Sequence, residues 1–216
     1  MVSRDGTIAV PAIIEAAHGR CVAAHFGAYD YLSSLNVAAA RQSLLHPACD
    51  FARTVMIHAC AVTNTRVSDG ATNTLPVAIH RGTPLSPAQH DENTAAVHAA
   101  WKLHAAHVHH ALVHGIFQGW DLHPAQLVAR YGALYAYFLG ALPAATERLT
   151  RFVARAAQAT RAGAVFEDAA TAQGLLAFFA SGLECGALAE DDATATGLTV
   201  VEIRARSFLD IVEARR

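Results

Sequence analysis

One lysine stands among 216 residues, and charged residues of all kinds make up only 16% of the chain. The scarcity of lysine bears directly on chemistry. A Schiff-base aldolase or a pyridoxal enzyme needs a desolvated amine, and Lys102, the sole supplier, lies in a strongly helical, polar-faced stretch. Imine chemistry is therefore disfavoured. The net charge of −2 offers no basic field for nucleic acid. Low charge with 53% apolar residues also excludes a disordered chain. Four cysteines (Cys21, Cys49, Cys60, Cys185) form no C-x-x-C pair and read as buried thiols of a reducing compartment, which points to the cytoplasm. No apolar run approaches the roughly 18 residues that span a bilayer, and the first residues resemble neither a signal nor a transit peptide. No Gly-x-Ser-x-Gly elbow, phosphate loop or dinucleotide fingerprint occurs.

What is abundant is alanine (48 residues) and histidine (13 residues). The periodicity predicts helices over Val10–Ala17, Pro47–Val62 and Pro87–His114, and from Pro124 to about Leu139. Short apolar runs at Cys21–Phe26, Thr65–Ser68 and Ile116–Gln118 read as buried parallel strands. Alternation of these strands with helices predicts βα units and a parallel α/β sheet. From Leu142 onward the pattern is helical throughout, over Pro143–Arg161, Ala169–Ser181 and Thr199–Ala214. The domain expectation is thus a βα region over 1–140 and a helical extension over 141–216.

Ligands of parallel α/β folds sit at the carboxyl ends of strands. Each expected strand here ends near an aspartate, Asp30, Asp69 or Asp121, with a glycine close by. Converging carboxylates suit a hard divalent cation; each aspartate is equally a turn or cap residue. The turn Gly27-Ala28-Tyr29 presents successive backbone N–H groups to an anion. His123 opens His-Pro-Ala-Gln after the third strand, where ligand contact and helix capping are both open readings. His25 could face the site or the sheet. On the long helix, Val97, Trp101, Ala105, Val108 and Leu112 fall on one stripe, and His104, His107, His110 and His114 on the opposite face. That second face is expected to be solvated. A histidine-rich metal-binding protein is a further alternative. Glu147, Arg148, Arg151 and Arg155 read as a solvated face with i,i+4 pairs.

Three stretches, GRCVAAHFGAYDY (Gly19–Tyr31), RVSDGATN (Arg66–Asn73) and GIFQGWDLHPAQ (Gly115–Gln126), resemble the HpcH/HpaI-type aldolase and citrate lyase β-subunit superfamily. The resemblance implies the C-terminal part of a (β/α)8 TIM-like barrel, about three parallel strands with their helices, followed by the helical extension. A whole barrel of this kind takes about 250 residues. It implies a carbon–carbon lyase or aldolase acting on a 2-oxo acid or acyl-CoA-type substrate through an enolate stabilised by Mg²⁺ or Mn²⁺. Carried onto this chain, Asp30 becomes the metal ligand and Gly27, Ala28 and Tyr29 hold the substrate carboxylate. Asp69 and His123 join them as substrate-contact candidates. In such enzymes the metal-binding Glu and the catalytic Arg precede the segment corresponding to this chain, so weak Mg²⁺ binding and negligible lyase activity are expected of these 216 residues alone. The alternative is a non-catalytic helical module for oligomerisation or interaction. No nucleic acid or membrane partner is expected, and a homo-oligomer is.

Overall fold

In the computed structural model, residues 3, 5–63, 65–161 and 169–214 are described. The chain divides into two compact units, Met1–Ala133 and Leu134–Arg216.

The first unit is built around a very short ladder. Strand β1 (Ala23–His25) pairs in parallel with β2 (Arg66–Ser68), in the register Ala23↔Arg66 and His25↔Ser68. The pairing extends by one bond, Phe26 N–H to the Ser68 carbonyl at 3.0 Å. The expected third strand, Ile116–Gln118, is corrected to a single parallel bridge between Ser68 and Gln118, with Asp69 N–H donating to the Gln118 carbonyl at 3.0 Å. The expected partial TIM-like barrel with three parallel strands is therefore not the fold. The described residues are dominated by helices, and the sheet has two strands of three residues each. The physical reason is visible in the segments themselves. Alanine is the strongest helix former, and short runs of three to six residues ending near glycine do not distinguish strand from coil.

Helices α2 (Ala28–Ser34) and α3 (Pro47–Ala61) pack on this ladder, and α1 (Val10–Ala16) packs on α3. The core beneath them joins Phe26, Ala28 and Leu32 to Leu44, Cys49, Ala52 and Met56. Helix α3 opens with Pro47 at its first turn, and His46 Nδ1 accepts from Ala48 N–H at 3.2 Å. The buried side of α3 runs through Cys49, Ala52, Arg53, Val55, Met56, Ala59 and Cys60, and Phe51 and Val62 are exposed.

Helix α4 (Pro87–Val113) starts at a capping box, Ser86 Oγ accepting from Gln89 N–H and Gln89 Oε1 from Ser86 N–H. Its inner face corrects the expected histidine stripe. Ala100, His104, His107, Val108, Ala111 and Leu112 are buried, His104 at 1% and His107 at 5% exposure. His110 and His114 are only partly exposed. Periodicity assigns imidazole to water, but a neutral imidazole with hydrogen-bond partners packs like any flat ring.

In the second unit, the two helices expected on either side of Pro143 are one, α5 (Leu127–Arg161), which crosses the division between the units. Proline inside a helix costs about 3 kcal/mol; burial of Phe138, Ala145 and Leu149 along this helix offsets that cost. Helices α6 (Ala169–Glu184), α7 (Glu190–Thr194), α8 (Val200–Ala205) and α9 (Phe208–Ala214) complete the unit, with α6 packed on α7, α8 and α9. The helix expected over Thr199–Ala214 is interrupted by Arg206, which adopts a left-handed φ of 55°. Gln173 holds the break, donating to the Arg206 carbonyl at 2.7 Å and accepting from Phe208 N–H at 3.0 Å. On α5, Arg151 pairs with Glu147 at 3.2 Å, on the exposed face the sequence suggested. No described helix is long and apolar enough to cross a membrane.

Candidate functional site at the carboxyl end of the ladder

The parallel pairing places three chain segments side by side where the strands end: Phe26–Asp30, Ser68–Asn73 and Gln118–His123. Two of the three strand-end aspartates are drawn inward. Asp69 is 3% exposed. Its Oδ1 accepts from Arg53 Nε at 3.0 Å and from Gly70 N–H at 2.8 Å. Arg53, itself 1% exposed, also donates to Asp50 Oδ1 at 2.9 Å and to the Leu44 carbonyl at 2.9 Å, and lies over the Phe26 ring. A buried guanidinium of this kind persists only because each N–H edge meets an acceptor. Gly70 is required by the crowding here. A Cβ at this position would stand 2.8 Å from Leu44 Cδ2 and 2.9 Å from the Phe26 carbonyl.

Asp121 is held from two sides. Arg130 Nε donates to its Oδ2 at 2.6 Å, and His104 Nε2 lies 2.8 Å from its Oδ1, in contact but off the axis of a straight hydrogen bond. The Arg130 guanidinium covers Gly119 so closely that a Cβ there would fall 2.4 Å from its nitrogens.

Between the two ion pairs, the Thr72 hydroxyl lies 2.8 Å from both His104 Nδ1 and His107 Nδ1. A hydroxyl has one proton, so it donates to one ring and accepts from the other. Contact with the Asp121 carboxylate requires the His104 proton on Nε2. Thr72 therefore donates to His104 and accepts from His107 Nδ1–H, which leaves His107 Nε2 as a bare acceptor. That atom and Asp69 Oδ2 are buried with no hydrogen bond among the described residues. Both residues line a cavity of about 10 Å³, with Thr72, His104, Gly119 and Arg130 also in its wall. This is room for roughly one water-sized guest. Burial pushes the His107 pKa down to about 4, assisted by the nearby His104. Burial, then the Arg130 charge, lowers that of His104 against the pull of Asp121. Both rings are neutral at physiological pH.

Gln126 ties the loops together. Fully buried, it donates to the Thr72 carbonyl at 2.9 Å and accepts from Leu122 N–H at 2.8 Å and His123 N–H at 3.2 Å.

The remaining sequence candidates stand outside this network. Asp30 is exposed in the first turn of α2. Gly27 is the N-cap of α2, with φ −81°, and Ala28 is buried with its N–H bonded to the Phe26 carbonyl at 3.1 Å. Tyr29 is partly buried, and burial raises its phenol pKa while the Asn73 backbone pulls the other way. His123 caps the short 3₁₀ turn Pro124–Gln126, its Nδ1 accepting from Ala125 N–H at 3.1 Å. His25 sets its ring edge-on to Trp120, 6.0 Å between centroids.

Arg53, Thr72, Gln126 and Arg130 were not sequence candidates. Two carried a signal. Arg53 lies four residues after Cys49 and three before Met56, on the apolar face of α3, and Gln126 occupies the third position after a His-Pro helix start.

These features define a helix-dominated protein with a minimal parallel ladder, whose carboxyl end is closed by buried carboxylates paired to arginine and neutral imidazole. The chain belongs to a family described as a domain of unknown function (DUF6986), whose profile matches residues 1–211. No curated protein and no solved structure matches the chain.

Proposed function

We propose that this chain carries part of a divalent-metal-assisted carbon–carbon lyase site for a 2-oxo acid or acyl-CoA-type substrate, with Asp30 as the metal-binding carboxylate. The observation that supports this reading is the contrast among the three strand-end aspartates. Asp69 and Asp121 are committed to buried cationic and imidazole partners, whereas Asp30 is exposed one turn beyond β1, with no ion pair among the described residues. An exposed carboxylate suits Mg²⁺ or Mn²⁺, and a single one makes a weak site. When bound, the metal would supply the positive charge that stabilises an enolate. The first-turn N–H groups of Tyr29 and Asp30 have no intrahelical acceptor and are the donors left to meet a substrate carboxylate, since that of Ala28 is already bonded. Asp69 and His123 act as positioning residues in this reading, fixing the loops that flank the turn. Lys102 is exposed on α4, so no desolvated amine competes as the electron sink.

The test is a titration with Mn²⁺, followed by electron paramagnetic resonance, with and without oxalate as an enolate mimic. Weak Mn²⁺ binding that oxalate strengthens and Asp30→Asn removes supports the proposal. Binding that ignores oxalate, or is unchanged in Asp30→Asn, overturns it.

A second reading, self-association, is favoured by the edge of the ladder. Among the described residues β1 has a strand neighbour on one side only, and Val22 beside it is 68% exposed. Sedimentation velocity distinguishes a monomer from an oligomer.

A further inference from the structure

Away from the strand ends, α3 and α4 bring together two histidines and an aspartate. Asp50 lies in the first turn of α3. His110 and His114 are one turn apart at the end of α4, their rings 4.5 Å between centroids. His110 Nε2 is 2.8 Å from Asp50 Oδ1, and His114 Nε2 is 3.8 Å from the same atom. The three donor atoms all lie within 4.8 Å of one another, and all three residues are partly buried.

The tautomer of His114 is fixed. Its Nδ1 lies 3.0 Å from the His110 carbonyl, which only accepts, so Nδ1 carries the proton and Nε2 offers a lone pair toward Asp50. A backbone carbonyl on the far ring nitrogen is the outer hydrogen bond that metal-ligating histidines characteristically make. The spacing also fits. Tetrahedral Zn²⁺ holds nitrogen and carboxylate oxygen at roughly 2.0–2.2 Å, which sets donors about 3.4 Å apart. The separations of 2.8 and 3.8 Å straddle that value.

We propose that Asp50, His110 and His114 form a binding site for a divalent transition metal ion of the zinc type, with the remaining coordination position open to water. Two imidazoles and one carboxylate favour such ions over Mg²⁺. On binding, the metal replaces the hydrogen bond between His110 Nε2 and Asp50; a neutral His110 ring moves its proton from Nε2 to Nδ1, and a protonated ring loses the Nε2 proton to solvent. The site is separate from the proposed Asp30 site and does not depend on it. It differs from the other histidines of α4 by its third donor, which comes from another helix, and by its locked ring.

The experiment is calorimetric titration of the chelator-treated full chain with Zn²⁺, alongside the visible spectrum of the Co²⁺ form. One equivalent of Zn²⁺ and the ligand-field bands of four-coordinate Co²⁺ are expected. His114→Gln, which retains Asp50 and its Arg53 pair, should weaken Zn²⁺ binding about tenfold or more and abolish those bands. Asp50→Asn should do the same, with circular dichroism confirming that each variant is folded. The double variant His98→Gln/His109→Gln should bind as the parent does. Absence of saturable one-to-one binding overturns the proposal. So does a folded His114→Gln chain that binds as tightly as the parent, or a loss that tracks His98 and His109 instead.

Discussion

Arg53 Nε lies 3.0 Å from Asp69 Oδ1, and solvent reaches almost none of either residue. This pair joins the middle of α3 to the end of β2. The energetics are asymmetric: the pair costs desolvation to bury, and breaking it strands one charge in the interior. Arg53→Met and Asp69→Asn should each destabilise the first unit by about 3 kcal/mol or more. The double replacement should cost clearly less than the sum of the two. Urea unfolding of the four proteins of this cycle measures it, and additive losses would show that the two side chains do not interact.

The neutral histidines predict an acid-sensitive fold. His107 has a folded-state pKa of about 4, below its ordinary value of 6.5. Its contribution is fully present above pH 6.5, where both folded and unfolded chains hold it neutral. As pH falls from 6.5 toward 4 the unfolded chain takes up a proton that the folded chain refuses, so stability declines. One histidine contributes a slope of at most about 1.4 kcal/mol per pH unit, and His104, also lowered, adds in the same direction. Unfolding midpoints measured across that window should fall less steeply for His107→Gln than for the parent. Parallel profiles would remove His107 from the account.

Two glycines should respond with opposite signs. Gly70→Ala drives a methyl into Leu44 and the Phe26 carbonyl and should cost about 1–3 kcal/mol. Gly132, inside α5, has nothing within 4 Å of the added carbon, and Gly132→Ala should stabilise by roughly 0.5–1 kcal/mol. Thermal unfolding of both variants reads the contrast directly.

The sequence made some of this legible and hid the rest for physical reasons. The starts of α3 and α4 are written locally, in His46-Pro47 and Ser86-Pro87, because caps are decided by neighbours in the chain. A glycine beside Asp69 was visible in the sequence, but the crowding by Leu44 and the Phe26 carbonyl that requires Gly70 comes from distant segments. His104 and His107 were misplaced because the groups that permit their burial, Thr72 and Asp121, lie 32 and 17 positions away from His104 and leave no trace in the period of α4. Arg53 was hidden in the same way, its partner Asp69 being 16 residues on. The barrel expectation failed because Ile116–Gln118 carries the composition of a strand yet closes only one bridge, while Gly119 beyond it is pinned under Arg130. Of the aspartates, nothing local separated Asp30, which stays exposed, from Asp69 and Asp121, which do not.

The central claim is that a metal and a 2-oxo acid mimic meet at the turn after β1. The most direct measurement is the amide NMR spectrum of His114→Gln, which silences the second metal site, titrated with Mn²⁺ in the presence of oxalate. The account predicts paramagnetic broadening centred on Gly27–Tyr31 and absent from the Asp30→Asn version of the same protein. Broadening centred elsewhere, or undiminished in Asp30→Asn, would contradict it.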